Sequence, residues 1–115
     1  MDGMYRGTLD LMIETAVACL AAADRQEARK IVRTLAQRWP TEPALSIAFA
    51  LTSAAATVED VVDSPEALAT AQTGYRLAAL VAADIFAVES MGQAPALGQD
   101  LLHFWRRVDP YFLNL

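Results

Sequence analysis

Residues 65–91 read PEALATAQTGYRLAALVAADIFAVESM, and the rest of the chain is best understood from them. Asp63 or Ser64 stands in front as an N-cap, and Pro65 and Glu66 occupy a first turn that tolerates proline and favours a carboxylate. Gly92 follows, a residue free to take the left-handed conformation that stops a helix. The pattern predicts one long helix, with Thr73-Gly74 as its weakest point. Its apolar residues fall into two arcs on opposite sides. One holds Leu68, Tyr75, Ala79, Ala82 and Phe86; the other holds Leu77, Leu80, Val81, Val88 and Met91.

A single core needs one apolar arc per helix, so a second arc must meet another layer or another chain. Asp84 falls by angle in the middle of the second arc, where a carboxylate without a partner is costly. Leu77, Leu80, Val81, Asp84, Val88 and Met91 are therefore the expected oligomer interface or ligand pocket. Asp84 would contact a ligand or pair with Arg6, Arg106 or an arginine of another chain. The plainer alternative leaves this arc partly exposed, with Asp84 solvated or paired for structure.

Upstream lies an acidic link of Glu59, Asp60 and Asp63, and before it a predicted helix from about Thr41 to Thr57. Leu45, Ile47, Ala48, Phe49, Leu51, Ala54 and Ala55 cover nearly its whole circumference, which predicts a central helix buried on most sides. Further back, a helix is predicted from Arg25 to Trp39. Asp24 caps it, Glu27 completes the capping-box spacing, and Pro40 stops it. Its buried stripe is Ala28, Ile31, Val32, Leu35, Ala36 and Trp39. The first helix runs from Thr8 to Ala23, with Leu9, Met12, Ile13, Ala16, Val17 and Leu20 on one stripe. The link between these two is so short that an antiparallel hairpin is expected.

Downstream, a fifth helix is predicted from Pro95 to Val108 on the stripe Leu97, Leu101, Phe104, Trp105 and Val108. The apolar tail Tyr111–Leu115 should pack on the domain or on a partner. The aromatic trios Trp39, Phe49, Tyr75 and Phe104, Trp105, Tyr111 are expected in the core. The whole chain, residues 1–115, reads as one all-α domain, a compact bundle of about five helices.

Residues 8–41 carry Ala16 at a small position of a first helix, then Ala28, Val32 and Leu35 along a second, and a closing Pro40. This run resembles a single degenerate tetratricopeptide-type helical hairpin. Met12 stands where a bulky aromatic is usual in that family, Leu35 where alanine is typical, and no second copy follows Pro40. The resemblance covers about a third of the chain and implies an interaction scaffold.

Composition supports the helical reading. There are 23 alanines among 115 residues, and alanine has no side-chain entropy to lose in a helix. Hydrophobic residues make up 55% and charged residues 20%, which excludes a disordered chain. The longest uncharged run, Pro43 to Val58, is shorter than the roughly 20 residues of a membrane span. The apolar run Leu9–Ala23 is interrupted by Asp10 and Glu14, unlike a signal peptide. The reading is a soluble, cytoplasmic protein with no membrane partner.

Charge is unevenly laid out. Arg25, Arg29, Lys30, Arg33 and Arg38 supply five of the nine positive charges, and Arg25, Arg29 and Arg33 recur every four residues as one ridge. The ridge is either a docking face for an acidic protein partner or a solvated outer face. A net charge of −5 opposes phosphate binding, so nucleic acid is a disfavoured partner and a DNA-binding regulator the weakest reading.

Sequence chemistry for catalysis is thin. Cys19 is the single cysteine and His103 the single histidine. Acid–base work would require a second group within hydrogen-bond reach of His103, for which Asp100 is a candidate. No glycine-rich phosphate loop, histidine pair or calcium-loop spacing is present, so no cofactor, metal or enzymatic activity is expected. The expected function is a protein-interaction or homo-oligomerising domain, with a homodimer as the simplest form. The alternative is a small apolar-ligand binder with its pocket near Asp84.

Overall fold

The computed structural model describes residues 7–115. Its helices are α1 (Thr8–Ala21), α2 (Arg25–Ala28), α3 (Ile31–Arg38), α4 (Ala44–Val61), α5 (Pro65–Ser90) and α6 (Gly98–Arg107), followed by a 3-10 turn at Tyr111–Leu113. The all-α expectation holds.

The expected second helix is split in two. Asp24 caps α2 by accepting from the Gln26 and Glu27 amides, but after one turn the Lys30 amide bonds to the Glu27 carbonyl, three residues back. That tighter turn interrupts the α-helical bonding before α3 begins. The bend between α1 and α2 is at Ala23, which takes φ 61°.

The long helix runs unbroken through Thr73-Gly74. Ser64, not Asp63, caps it, accepting from the Ala67 amide at 3.0 Å, and Gly92 at φ 104° follows its end. Gly74 is a seam. A Cβ there would lie 2.9 Å from Leu20 Cδ1 and 3.2 Å from the Ala55 Cβ. The missing side chain lets α5 close on α4 and on the end of α1. Buried Thr70 completes this junction by donating to the Leu20 carbonyl.

α4 lies between α1 and α5, whereas α3 packs mainly on α6. The first two predicted helices thus pack chiefly on other elements, not on each other. The principal extents are 42 × 39 × 18 Å. With helices about 8–10 Å apart, the short dimension admits two layers at most, so every helix keeps an outer side. This corrects the expectation for the central helix. Ile47, Leu51 and Val58 of α4 are buried among alanines, but Leu45 and Phe49 point outward.

The start of α6 is tied to the α3–α4 turn. The Ala44 amide donates to Ala96, Gly98 to Glu42, and Gln99 to Pro40, all within 2.9 Å. A Cβ on Gly98 would stand 2.7 Å from the Trp39 carbonyl oxygen, so only glycine lets these backbones approach. The tail packs on its own domain. Phe112 is buried with its ring 5.0 Å from that of Trp105. Tyr111, expected in the core, is exposed.

Candidate functional site

Of the two arcs of α5, the second is the one that the chain's own core covers. Leu77, Val81 and Val88 are buried inside the chain's own core, Leu80 is half-buried, and of this arc's apolar residues Met91 alone is exposed. Three buried side chains cannot also meet a second protein. The assignment of Leu77, Leu80, Val81, Asp84, Val88 and Met91 as an oligomer interface is therefore corrected. Periodicity finds apolar arcs, but it does not tell which one the rest of the chain covers.

Asp84 is satisfied within the domain. Its carboxylate accepts a 2.9 Å hydrogen bond from the indole Nε1 of fully buried Trp105, joining α5 to α6. Burial pushes the Asp84 carboxyl above the usual carboxylate range, the indole bond works against that rise, and nearby Asp109 adds to it. The expected partner Arg106 is on the surface, and Arg6 lies outside the described residues.

The opposite arc opens to solvent. Phe86 is 74% exposed, while Tyr75 is half-buried and Ala79 and Ala82 are on the surface. On α4, Leu45, Phe49 and Thr52 stand at i, i+4 and i+7, which puts them on one face; Leu45 is 67% and Phe49 53% exposed. These two faces, with Leu9 of α1 at the far side, enclose an open trough of about 820 Å³. Tyr75, Ala78, Ala79 and Ala82 form its α5 wall, and Ser46 and Ala48 complete the α4 side. α4 and α5 approach closely where Ala55 stands against Gly74.

Among the described residues no charged side chain lines the trough. Two of its hydroxyls are already engaged. Thr52 Oγ1 donates to the Ala48 carbonyl at 3.0 Å, and Tyr75 OH donates to Glu59 Oε1 at 3.1 Å. Burial and the Glu59 carboxylate raise the Tyr75 phenol, keeping it a neutral donor. Neither the trough nor the smaller hollow below includes Asp84 in its wall.

That smaller hollow, about 280 Å³, lies between the end of α5 and α6, with Met91, Asp100, His103, Arg107 and Val108 in its wall. Asp100 does not serve His103 as a partner for acid–base work; its carboxylate accepts from the Leu97 amide at 2.8 Å and so caps α6.

The basic residues differ in what they touch. Arg33 is half-buried and donates to the Leu113 carbonyl at 3.1 Å, holding the tail. Lys30 pairs with Glu27 at 3.1 Å, and Arg38 lies over the Trp39 ring at 5.3 Å. Arg25 and Arg29 are exposed. Cys19 is half-buried, with its thiol 3.6 Å from the Glu27 carbonyl. Burial, then the charges of Glu27 and Asp24, raise its pKa, which reduces the reactive thiolate. Among the described residues no group of three or more His, Cys, Asp or Glu side chains is placed to hold a metal ion.

Sequence reasoning missed Leu45 and Phe49 by assigning an all-round apolar helix to the interior. One signal was present: the bulky Leu45 and Phe49 are interleaved with alanine and serine, the residues that close helix pairs prefer at their seam. Comparisons with family models, curated proteins and solved structures find no match to this chain.

Proposed function

We propose that this chain is a protein-interaction domain that docks through the apolar trough between α4 and α5. The observation that carries the reading is the exposure of Leu45 and Phe49 in the wall of a hollow that none of the described charged residues lines, with Phe86 exposed one turn beyond Ala82 on the same stripe of α5. Contiguous exposed apolar surface of this kind marks interaction sites in folded domains. Aromatic side chains are the usual anchors of such contacts.

A small apolar ligand is the second reading, and it is favoured by one observation. The trough volume falls within the range of about 300–1,000 Å³ usual for ligand pockets. Such pockets hold a ligand in place with a few convergent polar groups, whereas here Thr52 and Tyr75 spend their hydroxyls on Ala48 and Glu59. Apolar side chains of a protein suit the surface better. The basic residues are a weaker docking face, because Arg33, Lys30 and Arg38 are engaged within the chain.

The test is photo-crosslinking in the cells that make the protein, with a benzophenone amino acid at position 49 and a control at exposed Gln37. Covalent protein adducts from position 49 and none from position 37 are expected. Equal labelling from both positions, or none from 49, overturns the reading.

A further inference from the structure

Resting on that reading, we infer that the protein seated on the trough is a second copy of this chain, related by a two-fold axis that crosses α5 between Ala79 and Ala82. The first argument is charge. The chain carries a net charge of −5, so most ways of bringing two copies together place like charges in contact. At a two-fold axis the constraint is stricter, because each group near the axis faces its own duplicate. The trough satisfies it, since none of the described charged residues lies in its wall. The smaller hollow fails it, because Asp100, His103 and Arg107 line it.

The second argument is shape. Along the exposed stripe of α5, Tyr75 precedes Ala79 by four residues and Phe86 follows Ala82 by four. The stripe is therefore symmetric about the point midway between the two alanines. Two antiparallel copies of α5 crossing there place Ala79 of each against Ala82 of the other. The same crossing brings Phe86 of each copy onto Tyr75 of the other. Alanines at the crossing permit the closest helix separations, about 8 Å. Phe86 and Tyr75 then flank the crossing as aromatic pairs, and Phe49 closes it from α4. A surface that presents both the projecting rings and the flat seam that receives them complements itself, which is the requirement of an isologous dimer.

Light scattering with sedimentation velocity at tens of micromolar tests this. The expected mass is twice the 12.5 kDa of the chain. Phe86→Glu should weaken the dimer at least tenfold with an unchanged melting temperature under dilute, monomeric conditions, since that side chain is 74% exposed. As a second measurement, chains carrying Ala79→Cys and chains carrying Ala82→Cys, both with Cys19→Ser, are mixed and mildly oxidised. Disulfides between the two kinds of chain should outnumber those within either kind, and a Gln37→Cys chain should join neither. A monomer at these concentrations overturns the inference, as does a dimer indifferent to Phe86→Glu. If position-49 crosslinks then land on a different protein, the docking reading stands and the self-association falls. If they land on no protein, both fall.

Discussion

The two apolar arcs of α5 hold five residues each by sequence and differ entirely in fate. The inner arc is built from Leu77, Val81, Ile85 and Val88, branched aliphatic side chains that fill space against α4 and α6. The outer arc is built from alanines with widely spaced aromatics, Tyr75 and Phe86. Branched aliphatics suit a fixed interior with defined rotamers, whereas flat seams with projecting rings suit a surface that meets another molecule. The distribution of side-chain size within each arc, more than its apolar count, separates the buried arc from the exposed one.

The sharpest way to break this comparison uses neighbours in sequence. Val81 is fully buried and Ala82 is exposed. Val81→Asp places an unpaired carboxylate in the core and should cost more than about 4 kcal/mol, enough to unfold a domain of ordinary stability. Ala82→Asp, measured in dilute solution, should change stability by less than about 0.5 kcal/mol. Urea denaturation reads both, and equal losses would erase the distinction between the arcs.

A smaller effect is expected where the inner arc turns polar. Asp84→Ala leaves the Trp105 indole N–H buried without its acceptor and should cost about 1–3 kcal/mol. Asp84→Asn keeps an acceptor oxygen and should cost clearly less than Asp84→Ala. Identical losses for the two would show that the bond does not hold α5 to α6.

The smallest effect is a pH dependence. Burial raises the Asp84 pKa, so the folded chain binds this proton more tightly than the unfolded chain. The stability it contributes is fully present below the unfolded value of about 3.9 and is lost as pH rises through the folded value. The stability of the native chain minus that of Asp84→Asn should therefore fall as pH climbs through and just above the carboxylate range. A flat or rising difference contradicts the shift.

Most of the helices were legible in the sequence because their signals are local. Asp24, Ser64 and Pro65 mark starts, and Pro40 and Gly92 mark ends, through backbone chemistry that acts within a turn. Both arcs of α5 were legible as well, since periodicity depends only on spacing. The break between α2 and α3 was not, because Arg29 and Lys30 are good helix formers and carry no local stop signal. The outward face of α4 was hidden for a related reason. An all-round apolar helix is fully buried only if enough other helices surround it, and an 18 Å thickness does not provide them. The partner of Asp84 was out of reach too, since the bond to Trp105 joins residues 21 apart in sequence.

The central claim, that the outer arc of α5 is covered by a second copy of this chain, is tested most directly by hydroxyl-radical footprinting across a dilution series. On dilution from tens of micromolar to tens of nanomolar, oxidation of Phe86 and Phe49 should rise several-fold while exposed Tyr111 stays constant. Phe86 labelled as fast as Tyr111 at every concentration would contradict it.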